Sequence, residues 1–270
     1  MKQPINVYIG YDSREPEAYE VCRHSLLKFN NEDFSVKPIP MKHQELRDMG
    51  LFDRRWVIDE DGQYWDELDG KPFSTEFSHT RFALQEYATT VHKQTGWTMF
   101  VDCDFLFRKP VKQLFDLVDD KYAVMCVKFD WQPKSTIKMD NKIQSSYSRK
   151  LWSSLMMWNL DHPDNKKMGY IKLNNADGID LHTFSWLERL NEAGSNLIGS
   201  IPKTWNYVPS MSLKDANPSA VHFSEGGPWF KGYEYVEYSF EWRKEYVKAL
   251  YEKWNHVRFD ETARRVTAGK

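Results

Sequence analysis

An α/β fold with a mainly parallel sheet and helices on both faces is the class that the sequence predicts. Short apolar runs ending at glycine or aspartate alternate with segments whose apolar residues recur at spacings of three and four. That alternation builds parallel sheets, because each crossover between parallel strands takes a helix. The scale agrees: 270 residues without a repeat, a low-complexity tract or a clear linker fit one large domain.

The elements follow in order. Residues 6–10 (NVYIG) form an apolar run stopped by Gly10, the pattern of a buried strand entering a loop. Pro16 opens a helix, since a missing N–H is harmless in the first turn, and Tyr19, Cys22, Leu26 and Phe29 give its apolar stripe. Residues 35–40 read as a second strand. Residues 43–72, charged and tryptophan-containing with Asp-Gly turns at Asp61 and Asp69, read as a long loop or insertion near a substrate. Pro72 and Ser74 announce a helix with Glu76 in its first turn and Phe77, Leu84, Tyr87 and Val91 on its buried face. Residues 97–101 (WTMFV) are the strongest strand, running directly into Asp102-Cys103-Asp104. A short helix is expected at 111–118 and strands at 122–127, 148–160 and 197–201. Between the last two, Leu181, Phe184, Leu187 and Leu190 make a helical stripe closed by Gly194. The final helix carries Trp242, Tyr246, Leu250 and Trp254.

Composition narrows the function. With 37 basic against 39 acidic side chains and a net charge of −2, the chain lacks the basic surplus of a dedicated nucleic-acid binder. No apolar run approaches the roughly 18 residues that span a bilayer. The first twenty residues meet charge too early for a secretory signal, so a soluble, cytoplasmic protein is expected. Cys22, Cys103 and Cys126 are odd in number and widely spaced, which indicates neither a disulfide framework nor a zinc knuckle. Aromatic residues reach 15%, with 11 tryptophans. They fit either a bulky core or a site that stacks rings.

Chemistry concentrates at two places. Asp102 and Asp104 stand at i and i+2 just past a buried strand, where alternating side chains face the same way. Ligands of open α/β sheets bind at such strand ends, and a carboxylate pair there holds a divalent cation that bridges diphosphate oxygens. The competing reading is a strand-end turn with capping aspartates. His222 ends a second apolar run and precedes Gly226 and Gly227, where backbone N–H groups have room to approach phosphate. An imidazole beside two carboxylates suits Mn²⁺ better than Ca²⁺. Read alone, the histidine is structural and the Gly-Gly-Pro element a tight turn.

Taken together, VYIGYDSRE, FSHTRFALQEY, MFVDCDFLF, LWSSLMMWN, IPKTWNYVP and HFSEGGPWF stand in the order found in GT-A-fold glycosyltransferases. The sequence most resembles the retaining enzymes of glycosyltransferase family eight and their bacterial and viral relatives. The resemblance implies a Rossmann-like GT-A domain over residues 1–270, with a nucleotide-binding half at 1–130, an acceptor-side half at 131–235 and a C-terminal helix at 236–270. It implies Mn²⁺ or Mg²⁺ on Asp102, Asp104 and His222, with a nucleotide-diphosphate sugar, UDP-linked by preference, as donor. Gly10, Tyr11 and Asp12 would line the nucleotide pocket, with Tyr11 stacking on the base or packing on the core. Gly226 and Gly227 would approach phosphate. Arg81 would meet phosphate or Asp102, as an ordinary ion pair also would. Ser154, Asn159, Asp180 and Asn206 would hydrogen-bond sugar or acceptor hydroxyls, so that Asp180, Asn159 and Arg81 form the expected catalytic set.

Two departures stand out. The lysine of the family's H-x-x-G-x-x-K-P-W pattern is absent around Gly227 and Pro228, leaving phosphate charge to the metal and another base such as Arg81. The family's Asp-Gln segment is not clearly kept in ADGIDLHTF. The implied reaction moves a hexose or similar sugar to an acceptor hydroxyl with retention. Glycan, lipid, protein and modified nucleic acid all stay open as acceptors, as does the oligomeric state. Two rival functions are a haloacid-dehalogenase-type phosphatase, whose Asp-x-Asp belongs near the N-terminus, and a sugar- or nucleotide-binding protein without turnover.

Overall fold

The computed structural model describes residues 3–130, 148–188, 196–209, 211–215 and 217–268, with side chains of the last helix described to residue 255. Its centre is a six-stranded sheet in the order β10-β8-β9-β6-β1-β2. β1 (Ile5–Gly10) leads through α1 (Pro16–Leu27) to β2 (Val36–Met41), paired parallel with Ile5 opposite Val36. Proline opens α1 as expected, and Ala18, Val21, Cys22 and Leu26 form its buried side. Four consecutive residues of β1 are buried, as befits a strand covered on both faces.

Residues 43–72 are not an unstructured loop. They fold as α2 (His43–Asp48) and an antiparallel three-stranded sheet of β3 (Trp56–Ile58), β4 (Tyr64–Asp66) and β5 (Pro72–Phe73). Their Asp-Gly turns hold Gly62 and Gly70 at φ of 71° and 67°, the left-handed region that glycine enters without strain. Pro72 therefore belongs to a strand, and the following helix starts at α3 (Phe77–Thr80).

That helix continues irregularly through a 3₁₀ turn (Arg81–Ala83), α4 (Leu84–Glu86) and a π turn (Tyr87–Val91). Thr89 and Thr90 hydroxyls donate back to the Gln85 and Glu86 carbonyls, a bond that bends helices. Phe77, Leu84 and Tyr87 are buried as expected, whereas Val91 is 43% exposed past the distortion.

β6 (Trp97–Val101) pairs parallel with β1, placing Val101 opposite Ile9. After the two aspartates comes β7 (Phe105–Phe107), then α5 (Lys112–Phe115), shorter than expected, and β8 (Val124–Cys126). A 3₁₀ turn (Trp152–Ser154) precedes β9 (Leu155–Asn159), antiparallel to both β6 and β8. β9 is the exception in an otherwise parallel sheet. α6 (Tyr170–Asn175) and α7 (Gly178–His182) follow. Phe184 interrupts the expected helical stripe at φ 57°, leaving only a 3₁₀ turn over Ser185–Leu187; Leu190 and Gly194 lie outside the described residues. β10 (Ile198–Ser200) extends the sheet beside β8.

A 3₁₀ turn (Lys203–Asn206) leads toward β11 (Ala220–His222), which pairs antiparallel with β7 and aligns His222 with Phe105. The last element is α8 (Ser239–Ala268). Trp242 and Ala249 bury against the body, and Glu245 meets His24 of α1 and Lys28 just after it at 3.0 and 3.2 Å. Leu250 and Trp254 are 45% and 54% exposed, so the apolar stripe read along this helix packs only at its start. Among the described tryptophans, Trp158, Trp186, Trp205 and Trp242 are buried, which favours the bulky core over ring-stacking for these four. No described helix is long and apolar enough to cross a membrane.

Candidate metal centre

The site forms where two kinds of strand pairing meet. Register along β1, β6 and β9 brings Gly10, Asp102 and Ser154 to one level, at the carboxyl ends of β1 and β6. The Asp102 N–H donates to the Ser154 carbonyl at 2.9 Å. One step further, β7 leaves the main sheet to pair with β11, and the Phe223 N–H donates to the Asp104 carbonyl at 3.0 Å. This second pairing delivers His222 to Asp104.

The ligand atoms of Asp102, Asp104 and His222 lie within 4.8 Å of one another. All three residues are buried, at 8%, 7% and 1% exposure. His222 Nε2 stands 3.3 Å from Asp104 Oδ1, and the Phe105 ring stacks on the imidazole at 4.3 Å and 16°. Arg81 Nη1 pairs with Asp102 Oδ1 at 3.0 Å and is held by the Ser153 carbonyl at 2.8 Å. Two carboxylates and an imidazole converging in a buried site match the donor set of a borderline divalent cation such as Mn²⁺.

A pocket opens over this cluster. Besides Arg81, Asp102 and Asp104 it is lined by Lys150, Ser153, Ser154, His79 and His182, with Asp69, Lys71 and Phe73 from the three-stranded sheet forming one wall. Burial pushes His79 and His182 well below the ordinary histidine range, helped by the Arg54 and Arg81 guanidiniums. Both are therefore neutral near pH 7. Arg81 donates to Ser153 Oγ at 3.2 Å, and the same hydroxyl shares a hydrogen bond with His182 Nδ1, 2.9 Å away. Burial also pushes the Cys22 and Cys103 thiols up, with Asp102 and Asp104 adding to the effect, which leaves them unreactive.

The remaining sequence candidates are distributed as follows. Asp12 accepts from the Arg14 N–H, from Nε and Nη2 of the same arginine and from the Glu76 N–H, so its carboxylate organises the loop after β1. Tyr11 packs edge-on to Tyr19 at 5.3 Å and lines a second groove with Arg23, Lys42 and Tyr246, apart from the pocket over the aspartates. Gly10 has no room for a side chain: a Cβ would lie 2.7 Å from the Phe77 ring.

Asn159 sits opposite Trp97 at the far end of β9, its amide spent on the Tyr122 carbonyl and the Asp161 N–H, and does not reach the pocket. Asp180 is exposed on α7, whose Gly178 and Ile179 line the pocket while Asp180 does not. Asn206 bonds both Ser154 and His222, and the Ser154 hydroxyl donates to the Leu151 carbonyl. Gly226 donates its N–H to the Phe223 carbonyl, and the Tyr233 and Trp229 rings cover Gly226 and Gly227.

Lys150, Ser153, His79 and His182 escaped the sequence reading. Ser153 and His79 lie inside segments quoted for other reasons, and nothing local marks Lys150, which is only 5% exposed. Its burial in the lining of the pocket is the signal, and that is visible only in three dimensions.

No family model matches the chain. Protein CDI of Arabidopsis thaliana is 41% identical over 252 residues, covering 90% of this chain and 86% of that protein. Among solved structures, the LgtC galactosyltransferase in complex with donor and acceptor sugar analogues superposes with a TM-score of 0.54 at 13% identity, over 90% of this chain and 96% of LgtC. The bifunctional WbbM glycosyltransferase gives 0.56 at 11% identity over 91% of this chain. GlyE of Streptococcus pneumoniae gives 0.54 at 10% over 95%. The chain spans half of the WbbM chain and 64% of the GlyE chain. The phosphatase reading falls with this fold, in which the Asp-x-Asp follows an interior strand reached after two crossovers. An identity of 41% over nine tenths of the chain, joined to this strand order and these superpositions, settles the placement: the protein belongs to the family of Protein CDI and has the GT-A fold of glycosyltransferases.

Proposed function

We propose that the protein is a metal-dependent glycosyltransferase that moves a sugar from a nucleotide diphosphate, UDP by preference, to an acceptor hydroxyl with retention. The observation that carries this reading is the buried Asp102–Asp104–His222 triad at the strand ends of a GT-A fold. A bound Mn²⁺ or Mg²⁺ supplies electrostatic stabilisation of charge developing on the leaving diphosphate.

The chain's own residues do the rest. Arg81, fixed by Ser153 and Phe77 carbonyls, holds the Asp102 carboxylate in place and keeps a permanent positive charge at the pocket floor. Lys150 adds a second cation to the same lining and replaces the phosphate-binding lysine absent near Gly227. Neutral His79 and His182 offer hydrogen bonds in the pocket lining without adding charge.

Support for retention without a covalent intermediate comes from the carboxylates at hand. Among the described lining residues these are Asp69, Asp102 and Asp104, and Asp69 is engaged by Arg54 and the Gly178 N–H. The domain is read as continuous over residues 1–270, with the acceptor held on the side built by 131–235.

A thermal-shift panel of nucleoside diphosphates with and without Mn²⁺ tests the assignment. A shift only in the joint presence of diphosphate and metal is expected, and its absence with every nucleotide would sink the transferase reading. Release of free sugar from the donor under the same conditions separates an enzyme from a binding protein. NMR of the anomeric proton in the product then decides between retention and inversion.

A further inference from the structure

The metal triad contains one ligand whose chemistry depends on where a single proton sits. A neutral imidazole ligates through the nitrogen that lacks hydrogen, so His222 serves the site only as the tautomer protonated on Nδ1, with the Nε2 lone pair facing Asp104. The hydrogen bonds behind the ring specify that tautomer.

The chain of bonds begins at a group that can only accept, the Leu151 carbonyl. The Ser154 hydroxyl donates to it at 2.7 Å, which uses the one hydrogen that Oγ carries. Ser154 Oγ then has only lone pairs to offer, and Asn206 Nδ2 donates to it at 2.8 Å. With the amide nitrogen committed there, Asn206 Oδ1 faces His222 Nδ1 at 2.8 Å and can only accept. The hydrogen between them must sit on Nδ1. Turning the amide over would set Oδ1 against the lone pairs of Ser154, unless the hydroxyl abandoned Leu151.

Among the described contacts the opposing acceptor is Asp104 Oδ1, 3.3 Å from Nε2, the position that a cation would take over. Ser154, Asn206 and His222 are 2%, 1% and 1% exposed, so bulk water does not reach the bonds. The Phe105 ring fixes the plane of the imidazole. Leu151 itself is held at φ 67°, a costly conformation for a branched residue, at the start of the 3₁₀ turn that carries Ser154. Ser154 also accepts the Asp102 N–H through its carbonyl, so the same residue anchors the backbone at one carboxylate ligand and the ring of the imidazole ligand.

We propose that Asn206 and Ser154 are positioning residues of the metal centre: a relay anchored on the Leu151 carbonyl that fixes His222 as its Nδ1–H tautomer and presents Nε2 to the cation. This inference rests on the metal-site reading above. It also gives the Asn206 and Ser154 side chains a use other than sugar recognition, since the Ser154 hydroxyl hydrogen and Asn206 Oδ1 are both engaged in the relay.

The test reads the proton and the metal separately. Protein labelled with ¹⁵N in the histidine rings, kept metal-free, gives the tautomer of each imidazole from two-bond ¹H–¹⁵N correlations. Comparison with His222→Gln assigns the signal. The relay requires a hydrogen on Nδ1 of His222, whether or not Nε2 also carries one beside Asp104 in the metal-free state, and a ring bare at Nδ1 in the wild-type protein overturns it without any variant being made.

Titration calorimetry with MnCl₂ alone supplies the second readout. Asn206→Leu, which keeps volume and loses the acceptor, is expected to shift the ring toward Nε2–H and to weaken Mn²⁺ about 10- to 100-fold. Asn206→Asp, which still accepts from Nδ1, is expected to keep the tautomer. Should Asn206→Leu fail to fold, Ser154→Ala frees the amide to rotate and is expected to weaken Mn²⁺ several-fold. Unchanged Mn²⁺ affinity in the variant that folds overturns the relay. Wild-type protein that shows Nδ1–H but binds no Mn²⁺ overturns the metal-site reading instead, and with it the purpose assigned to the relay.

Discussion

Arg81 and Asp102 show how one buried pair serves both stability and chemistry. Asp102 is compensated by a guanidinium at 3.0 Å that also donates to two backbone carbonyls, whereas Asp104 meets the neighbouring imidazole of His222 at 3.3 Å. The two aspartates are therefore expected to respond differently to the same change. Asp104→Asn should lose Mn²⁺ affinity and transfer activity with a small change in melting temperature. Asp102→Asn should lose the same functions and also leave Arg81 without its buried counter-ion, which costs several degrees of melting temperature, of order 3 kcal/mol. Calorimetric Mn²⁺ titration together with differential scanning calorimetry checks both; equal thermal losses would show that the Arg81 contact carries no stability.

The three-stranded sheet β3–β5 owes its position to Arg54. This residue, 3% exposed, reaches Asp66 at 2.5 Å and Asp69 at 3.4 Å, and donates to the Leu173 and Ala176 carbonyls at the end of α6. Asp69 in turn accepts the Gly178 N–H at the start of α7, and Lys71 pairs with Asp177 at 2.7 Å. One wall of the pocket is thus pinned to the helices opposite. Arg54→Leu leaves two buried carboxylates unpaired beside His79 and is expected to destabilise the protein by about 3–5 kcal/mol. Lys71→Ala removes a pair that is more than a third exposed and is expected to change stability by less than about 1 kcal/mol. Urea denaturation of the two variants separates a buried anchor from a surface contact. A smaller constraint acts at the turn before α8, where a Cβ on Gly227 would lie 1.9 Å from the Trp229 ring. Gly227→Ala should displace Trp229 from Phe223 and Trp242 and quench or shift tryptophan fluorescence.

Across the whole molecule, burial lowers five histidines among the described residues: His79 and His182 well below the ordinary range, His43 down to about 4 with help from Arg47, and His92 and His162 also below it beside Lys37 and Lys167. Each is depressed in the folded state, so between the folded and unfolded values the unfolded chain binds more protons. Stability is then fully present above about pH 6.5 and falls as the pH drops through that value toward 4. Melting temperatures measured from pH 7.5 to 4.5 in metal-free buffer should decline steadily, and His43→Gln should shallow the slope. A flat profile would show that these rings protonate without loss of the fold.

What the sequence determined by itself is the local part of this protein. Residues 97–101 had to be a buried strand, and two aspartates at alternate positions beyond it had to share a side, because both facts follow from neighbours in the chain. Pro16 opening α1 and the Asp-Gly turns belong to the same class. Insertion 43–72 was legible as a segment near the site but not as a sheet, since strands of two and three residues carry no period to read. The tertiary structure alone decided what the polar residues are for. Asp12, Asn159 and Asn206 are ordinary polar positions in sequence, each able to bind a ligand or a neighbour, and distance chooses between these uses. Asp12 is taken by Arg14, Asn159 lies at the wrong end of β9, and Asn206 stands behind His222. His222 reaches Asp104 because β11 pairs with β7, a hydrogen-bonded register between segments far apart in the chain that no local pattern encodes.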